Sequence, residues 1–223
     1  YESEYVSATG RVIKRTRTNN EYGINRKLSG IRGLFLYLYK NDLIDHNVTD
    51  KLDFKKLHQK MKRPLNTNDV MNLINVIYNG EDYFEGRNRA SYLNRKQRDI
   101  ALFTAYLGTG CRVSELVNLN ITDVDFETSS FLITRKGGDR QEIFMPVQVE
   151  NEMLKYVEER LADEETKDTD PLFISRNKKR LSNKTVQHIV KTYLEKAGLG
   201  GQGYSTHKLR HTAATLMYQH GDV

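Results

Sequence analysis

Residues near the C-terminal end of the chain combine an acid–base group with a phosphate-binding group. The stretch 206–211 reads Thr-His-Lys-Leu-Arg-His. His207 and Arg210 lie three positions apart, so both should project from one face of a helix that the Thr206 hydroxyl is expected to cap. An imidazole can exchange a proton near neutral pH, and a guanidinium binds phosphate oxygens with two parallel donors. The spacing therefore predicts a site for phosphate chemistry.

Two further cations fit the same chemistry. Arg112 stands in residues 109–116, Thr-Gly-Cys-Arg-Val-Ser-Glu-Leu, and Lys136 stands at the tip of a predicted hairpin. In-line displacement at a phosphodiester spreads negative charge over its oxygens, and Arg112 with Arg210 could clamp them. An extended lysine suits protonation of the departing oxygen. Each residue alone has an ordinary interpretation, such as an ion pair of Arg112 with Glu115, and only their order along the chain favours catalysis.

Two other motifs are weaker. Residues 198–203 fit the dinucleotide pattern G-x-G-x-x-G, but they follow a predicted helix, whereas that mechanism requires a preceding strand, so a flexible connector is favoured. His207 and His211 have the spacing of a helical zinc pair, yet Lys208 stands where glutamate is expected and Arg210 would lie beside the metal. The sequence therefore predicts no metal and no cofactor.

Charge and composition restrict the class of protein. The 223 residues carry a net charge of +6, and residues 11–63 hold 14 Lys/Arg against 5 Asp/Glu. This surplus favours a polyanion, with nucleic acid first and an anionic membrane surface second, although a merely solvated basic face stays open. The single cysteine, Cys111, fits a reducing compartment and is expected to be buried. No run of 18 apolar residues and no signal peptide is present, so neither a membrane span nor export is predicted.

Apolar periodicity predicts a mainly α-helical fold with a small antiparallel β-sheet, in two domains. Residues 1–20 are interpreted as an arm without regular structure and 24–40 as a basic amphipathic helix. Pro64 marks a boundary, giving domains at 1–62 and 67–223 with a linker at 63–66. In the second domain we expect several elements. They are a helix capped by Thr67, a loop at 79–98, a buried helix at 99–107 ended by Gly108 or Gly110, a helix near Arg112, a hairpin at 131–145, an acidic helix at 148–166, a short strand at 172–174 and a helix capped by Ser182 or Asn183.

The ordered motifs resemble the tyrosine recombinase, or lambda-integrase, family, and within it the Xer-type recombinases. Residues 109–116 resemble its T-G-x-R-x-S-E-L box, and 206–211 resemble its H-x-L-R-H box. Residues 135–140, Arg-Lys-Gly-Gly-Asp-Arg, resemble its K-G-x-x-x-R hairpin. Residues 24–32 resemble a helix of its N-terminal DNA-binding lobe, so the similarity extends from about residue 20 to the end.

The resemblance implies a two-lobed clamp on duplex DNA and a role for each site residue. Arg112 and Arg210 would hold the scissile phosphate, Lys136 would protonate the 5′ oxygen, His207 would assist proton transfer, and Glu115 would support the site. The family's nucleophile is a tyrosine that forms a 3′-phosphotyrosyl link, so strand exchange needs no metal or ATP. That tyrosine is expected beyond this helix. Tyr218, eight residues after Arg210, is not at that position, so this chain is expected to bind DNA without cleaving it.

The resemblance also implies partners and a location. We expect double-stranded DNA with a specific, inverted-repeat site, a homotetramer on that DNA, an accessory recombinase or directionality protein, no membrane, and a bacterial cytoplasmic, nucleoid-associated location. Integration, excision and dimer resolution stay open. Two alternatives remain: a DNA-binding protein without catalysis, and a type IB topoisomerase-like enzyme.

Basic residues of three segments are predicted to contact DNA, because phosphate contacts supply much of the affinity for DNA. They are Arg11, Lys14, Arg15 and Arg17 in the arm, Arg26, Lys27 and Arg32 in the first helix, and Arg176, Lys178, Lys179 and Arg180 in a loop.

Overall fold

A computed structural model of the chain describes residues 2–7, 9–16, 19–56, 65–135, 137–166 and 169–220, without the side chains of 2, 3, 15 and 216–220. The chain divides into two compact units, Tyr1–Lys62 and Arg63–Val223. Both are built mainly from helices with a small antiparallel sheet, which confirms the predicted fold class. No described helix is long and apolar enough to cross a membrane.

The first unit begins with a β-hairpin where the sequence predicted an irregular arm. Strands β1 (Glu2–Val6) and β2 (Val12–Thr16) pair antiparallel. The prediction was wrong because β-branched residues cluster in β2, and Gly10, at a φ of 76°, closes the turn between the strands. The register places Glu4 opposite Lys14, and their side chains form an ion pair at 2.7 Å.

The predicted amphipathic helix of this unit is α1 (Glu21–Lys40). Asn20 caps it by accepting a hydrogen bond from the Gly23 N–H. None of its residues is fully buried in the unit, and Ile31 and Leu34 are exposed. Farther along the chain, Lys55 exchanges two hydrogen bonds with the Asn25 amide, which fixes the following segment against α1.

The second unit starts with α2 (Thr67–Tyr78), whose N-cap is Asn66 rather than the predicted Thr67. Asn66 and Asp69 bond each other's backbone N–H reciprocally, which satisfies two donors at the helix start. The prediction was wrong by one residue. Asn66 and Thr67 can both cap a helix through their side chains, and the backbone conformation decides which of them does so.

The predicted loop at 79–98 is largely helical. It contains a 3₁₀ turn at Gly80–Asp82, α3 (Gly86–Leu93) and the start of α4 (Lys96–Thr109). Tyr92 explains the difference, since it is only 2% exposed. Its hydroxyl accepts a hydrogen bond from the Gly80 N–H and donates one to the Ile77 carbonyl. The buried Tyr92 therefore holds this polar segment against the core, although the segment shows no helical spacing of apolar residues.

Helix α4 is the centre of the core. It packs against α2, α6 (Val147–Ala162) and α8 (Thr206–His220). Ala101 and Ala105 are fully buried on it. A Cβ at Gly108 would lie 2.5 Å from Val149 Cγ2, so glycine at this position allows α4 and α6 to approach closely. Helix α6 ends four residues before the predicted position.

The small sheet contains the predicted hairpin. Strands β3 (Val124–Asp125), β4 (Ser130–Thr134) and β5 (Arg140–Phe144) pair antiparallel in that order. The register pairs Thr134 with Arg140, which places residues 135–139 in the turn. The predicted strand at 172–174 is present only as isolated bridges, although Leu172 and Phe173 are fully buried. The apolar residues are buried as they would be in a strand, but no neighbouring strand pairs with them continuously. An apolar run alone does not distinguish these two cases.

Two further α-helices belong to the second unit. Helix α5 (Val113–Val117) follows Arg112 directly, and α7 (Asn183–Lys196) begins after Ser182, one of the two predicted caps. The Ser182 hydroxyl accepts a hydrogen bond from the Thr185 N–H, as an N-cap should.

Candidate active site

Arg112 is positioned by the sharp end of α4. Gly110, one of the two predicted stops, ends that helix with a left-handed backbone at a φ of 62°. Cys111 then turns inward and is 3% exposed, as predicted. Arg112 follows as the N-cap of α5, with its side chain 50% exposed. The turn therefore buries the cysteine and leaves the arginine at the surface of the core.

Glu115 holds Arg112 at two points. Its Oε2 accepts a hydrogen bond from the Arg112 backbone N–H at 2.7 Å, and its Oε1 accepts one from Arg112 Nη1, also at 2.7 Å. The Glu115 side chain is only 4% exposed. A buried carboxylate needs such partners, because an unpaired charge away from water is costly. The remaining guanidinium donors of Arg112 are left for an anion at the surface.

A second arginine, Arg135, reaches the same carboxylate. Its Nη1 lies 3.5 Å from Glu115 Oε1. Arg135 follows β4 directly, and its Nε donates to Gln141 Oε1 on β5 at 2.7 Å. Arg135 was not predicted as a site residue, although it directly precedes Lys136. Nothing local to residue 135 indicates a partner twenty positions away.

Lys136 lies outside the described residues. The turn that carries it is closed by two backbone hydrogen bonds, from the Arg135 N–H to the Asp139 carbonyl at 2.7 Å and from the Gly138 N–H to the Arg135 carbonyl at 3.1 Å. Gly137 and Gly138 both have positive φ, at 116° and 97°, which only glycine adopts readily.

Helix α8 brings His207 and Arg210 to the end of α4. Leu209, which lies between them in the sequence, is fully buried, and Thr212 is almost fully buried. The Thr212 hydroxyl accepts a hydrogen bond from the Leu65 N–H. The sequence predicted Thr206 as the residue that caps this helix, but the helix already begins at Thr206. The carbonyl of the preceding residue, Ser205, accepts the first hydrogen bonds. The buried face fixes the rotation of α8, so His207 stays exposed on the other side.

Charged side chains from three parts of the second unit influence the thiol of Cys111. Burial raises the pKa of its thiol, and the carboxylate of Glu115 raises it further. The Thr109 hydroxyl and the positive charges of Arg135 and Arg210 lower that pKa. Electrostatic effects of this kind require proximity. Arg210 on α8 and the Glu115–Arg135 pair therefore lie near enough to act on the same buried thiol.

The two histidines of α8 are close to each other. The ring centroids of His207 and His211 lie 5.9 Å apart with the rings nearly perpendicular. Among the described residues no group of three or more His, Cys, Asp or Glu side chains could hold a metal ion.

The basic residues of the first unit have few acidic partners among the described contacts. Arg26 and Lys27 are exposed on α1, and Lys27 Nζ donates to Asn19 Oδ1 at 3.1 Å. The Arg32 guanidinium lies 5.5 Å from the centroid of the Phe54 ring. Arg11 is exposed in the turn of the hairpin. The side chain of Arg15 and all of Arg17 lie outside the described residues.

The basic loop of the second unit is more constrained than the sequence indicated. Arg180 donates to the Val117 and Leu119 carbonyls at 2.9 Å and to the Asn120 side chain. Lys178 forms ion pairs with Asp163 at 2.6 Å and Glu165 at 3.2 Å. Arg180 therefore holds the loop in place, and its contact with DNA stays a prediction. Arg176 and Lys179 are exposed.

Solved structures define the class of protein. A crystal structure of XerA recombinase superimposes with a TM-score of 0.58 at 22% identity, over 92% of this chain and 71% of that one. The Tn1549 transposon integrase in complex with transposon right end DNA gives a TM-score of 0.68 at 19% identity, over 91% and 68%. The fold of the chain is therefore that of the tyrosine recombinases.

Sequence comparison identifies the family. The phage integrase family pattern matches residues 87–223, more than half of the chain, so the chain belongs to the phage integrase family. It is 36% identical over 212 residues to tyrosine recombinase XerC of Caldanaerobacter subterraneus subsp. tengcongensis, covering 95% of this chain and 55% of the relative. It is 34% identical over 177 residues to tyrosine recombinase XerA of Pyrococcus furiosus, covering 77% and 54%. The predicted family is confirmed, and the chain spans about half the length of these relatives.

Proposed function

We propose that this chain is the DNA-binding and phosphate-binding part of a site-specific DNA recombinase that cuts and rejoins strands through a 3′-phosphotyrosyl link. The observation that carries the proposal is the pairing of the buried Glu115 carboxylate with Arg112 and Arg135 in a recombinase fold. Glu115 pairs with both Arg112 and Arg135, so one carboxylate offsets only part of the positive charge of these arginines and Arg210. A scissile phosphate supplies the remaining negative charge.

The chemistry assigns one role to each group. Arg112 and Arg210 would bind the non-bridging oxygens and stabilise the charge that builds up on them during in-line attack. Lys136 would donate a proton to the 5′ oxygen, and His207 would assist proton transfer. The energy of the broken phosphodiester would be kept in the phosphotyrosyl bond, so the reaction would use neither metal nor ATP.

Two tyrosines of the second unit, Tyr106 and Tyr193, do not suit the attacking role. Tyr106, next to α8, is buried, and its hydroxyl donates to the Thr206 carbonyl. Tyr193 is also buried, with its hydroxyl bonded to Asp99 Oδ2 at 3.0 Å. The side chain of Tyr218 lies outside the described residues. We therefore propose that residues 1–223 bind DNA without cleaving it.

The basic first unit supports a DNA partner. Arg26 and Lys27 on α1 and Arg11 on the hairpin would contact backbone phosphates of a specific duplex site, which we propose to be an inverted repeat bound by a homotetramer. An accessory recombinase or directionality protein would belong to the same assembly. DNA as the substrate implies action in the cytoplasm at the nucleoid.

A nicked duplex tests the proposal with the full-length protein that contains this chain. The site is first located by footprinting, and a nick is then placed so that the cut fragment diffuses away and rejoining stops. A covalent protein–DNA adduct is expected, and chelation of metal ions should leave it unchanged. Arg112→Ala and Arg210→Ala should each lower the rate of adduct formation by roughly a hundredfold or more.

Lys155→Ala provides the matched control. Lys155 lies on the acidic helix α6 and pairs with Glu152 at 3.0 Å, so its loss should leave the rate unchanged. The absence of any adduct on the footprinted site would refute the recombinase proposal. Relaxation of supercoiled plasmid without site preference would instead indicate a topoisomerase.

A further inference from the structure

A cavity of about 770 Å³ opens beside the start of helix α4. Its described lining comes from α3, the first turn of α4, the C-terminal half of α6 and the turn at residues 174–178. Helix α4 has 14 residues and is therefore about 21 Å long, and Arg112 follows its other end. The cavity thus lies about one helix length from the candidate active site, and it has the size of a small-molecule site.

The lining of this cavity is strongly basic. Six basic side chains stand against two acidic ones among the described lining residues. Two of the basic groups have acidic partners, since Arg98 pairs with Asp99 and Lys178 pairs with Asp163 at 2.6 Å. Four guanidiniums and one carboxylate remain, which is a surplus of three positive charges. They belong to Arg87, Arg95, Arg160 and Arg176, and to Glu159.

Arg160 contributes a buried positive charge to the cavity. The residue is 3% exposed. Its guanidinium donates to the backbone carbonyls of residues 166, 169, 171 and 172, and no ion pair among the described residues gives it a carboxylate. Carbonyls satisfy its donors but carry no net charge, so the charge of Arg160 has no counter-charge in the described part of the chain. A buried charge of this kind is costly, and an anion in the cavity would compensate it.

Three further arginines have guanidinium donors available at the cavity. Arg87 and Arg176 are exposed, and neither side chain forms a hydrogen bond or ion pair with the described residues. The turn that carries Arg176 is fixed to the end of α6 by the Lys178–Asp163 ion pair. Arg95 Nε donates to a carbonyl of α3 at 2.8 Å, which leaves the terminal nitrogens of this side chain for a ligand.

The cavity offers little apolar surface to an organic group. Ala90 and Ile174 have the only aliphatic side chains of the described lining. The Tyr156 ring is 3% exposed and stacks on Phe173, with 5.5 Å between the ring centroids. Recognition in this cavity must therefore come from charge and hydrogen bonds. Several guanidiniums that face one cavity suit the oxygens of phosphate groups.

We propose that this cavity binds a compact polyphosphate group, either as free polyphosphate or as the phosphates of a nucleotide. Arg87, Arg95 and Arg176 bind its oxygens, and the negative charge of the ligand compensates the buried Arg160. A chain of several phosphates matches the surplus of positive charge better than a single phosphate does. This site is separate from the one that would bind the scissile phosphate, and the inference does not depend on the proposed function.

Glu159 is the group in the lining that opposes such a ligand. Its carboxylate forms no ion pair with the described residues, and burial raises its pKa above the ordinary value. The negative charge of Glu159 repels a polyphosphate, so its removal strengthens binding. This effect is opposite in sign to that of removing an arginine, which makes Glu159 a useful position for a test.

Titration with tripolyphosphate tests the proposal on the 223-residue chain, in buffer free of divalent metal ions. Isothermal titration calorimetry should show saturable binding of tripolyphosphate. Inorganic monophosphate should bind at least about tenfold more weakly, because it makes fewer charged hydrogen bonds. ATP and GTP should bind within about threefold of tripolyphosphate and of each other, because the lining offers no surface that selects a base.

Single substitutions locate the bound tripolyphosphate. Arg87→Ala and Arg176→Ala should each weaken binding by roughly tenfold, and both positions are exposed, so the fold should tolerate the change. Glu159→Gln should tighten binding by about threefold or more. Arg89→Ala is the matched control, because Arg89 is also exposed on α3 but is not part of the described lining, and this variant should bind like the wild type.

Arg112→Ala separates this cavity from the candidate active site and should leave tripolyphosphate binding unchanged. Loss of binding in Arg112→Ala, with normal binding in Arg87→Ala, would place the ligand at the active site and overturn the inference. Equal weakening in Arg89→Ala would also overturn it, because the attraction would then be a general property of the basic surface.

Duplex DNA provides the last comparison. If Arg87→Ala and Arg176→Ala weaken binding of a duplex while tripolyphosphate does not bind the wild type, the cavity contacts DNA and the inference fails. The absence of a covalent adduct on a nicked duplex would refute the recombinase proposal but would leave the polyphosphate site untouched.

Discussion

The hydroxyl of Tyr106 donates a hydrogen bond to the carbonyl of Thr206, one hundred residues farther along the chain. This contact joins the last turns of α4 to the first turn of α8. Arg112 follows the end of α4, and His207 and Arg210 lie on the first turns of α8. Burial raises the pKa of the Tyr106 hydroxyl to about 12, and the positive charge of Arg210 nearby offsets part of that rise. Tyr106 therefore sets how the two halves of the candidate site face each other.

Tyr106→Phe should loosen this junction. The variant leaves the Thr206 carbonyl without its partner, so the free energy of unfolding should fall by about 1–2 kcal/mol. Urea denaturation of the 223-residue chain measures the change. Tyr78→Phe is the control, since the Tyr78 hydroxyl accepts its hydrogen bond from the Gln148 amide near the surface. Equal stability of the two variants would show that the Tyr106 contact contributes nothing.

Stability should fall steeply in alkaline solution. Burial is the main cause that raises the pKa of Tyr106 and of Tyr156 to about 12, and burial together with the negative charge of Asp99 raises that of Tyr193. The unfolded chain loses these protons near the ordinary value of 10. Their contribution is therefore complete below pH 10 and is lost as the pH rises from 10 to 12, by up to about 1.4 kcal/mol per pH unit for each group.

Near-ultraviolet phenolate absorbance, followed together with unfolding, tests this pH dependence. Much of the phenolate signal should appear only as the protein unfolds. Tyr106→Phe should reduce the slope of stability against pH above pH 10. A titration that is complete before unfolding would contradict the assignment of these buried phenols.

Glu115→Gln should show how much the negative charge of Glu115, as distinct from its size, contributes to stability. Glutamine keeps the volume but removes the counter-charge of Arg112 and Arg135, so we expect a loss of about 1–3 kcal/mol in the free energy of unfolding. Glu115→Ala should lose more, about 3–5 kcal/mol, because the arginines are left without a partner. Denaturation curves measure both variants. Glu158→Gln, an exposed change on α6, is the control, and similar losses in all three would argue against a specific role of the carboxylate.

Helix α1 should supply part of the salt-dependent affinity for DNA. Each phosphate contact that is lost reduces the slope of log affinity against log salt by about 0.9. Arg26→Ala and Lys27→Ala should each weaken binding and flatten the slope by about that amount, whereas Lys155→Ala on α6 should not. Fluorescence anisotropy at several salt concentrations measures the slopes, and unchanged slopes would remove α1 from the DNA surface.

Residues 1–223 should retard a duplex carrying the footprinted site in a gel and yet form no covalent adduct on the nicked version. The reason is that Tyr106 and Tyr193, near or behind the site, are buried and protonated. Denaturing electrophoresis detects an adduct, and mass spectrometry of any adduct would identify its residue. A phosphotyrosyl peptide containing Tyr218 would overturn this expectation.

Much of the site could be predicted because its signals are local. Arg112, Glu115, His207 and Arg210 lie in compact motifs whose spacing fixes the helix face that they share. Gly110 and Ser182 mark helix ends because their backbone and side-chain preferences act over a few residues. The family followed from the order of those motifs.

The sequence did not predict features of the structure that depend on contacts between residues far apart in the chain. The segment 79–98 contains helices because the Tyr92 hydroxyl bonds the turn at Gly80, and periodicity does not report such an anchor. Arg180 was grouped with DNA contacts by its charge, which stays a prediction, and only the fold shows that it also donates to the carbonyls of Val117 and Leu119.

The sequence by itself determined the types of candidate catalytic group, their order and the helices that carry them, because propensity and capping depend on near neighbours. Only the tertiary structure decided which charges meet. Glu115 lies three residues from Arg112 but twenty from Arg135, and its pairing with Arg135 exists because β4 ends beside α5. Contacts between elements depend on packing, so an isolated charge in a sequence does not reveal its partner.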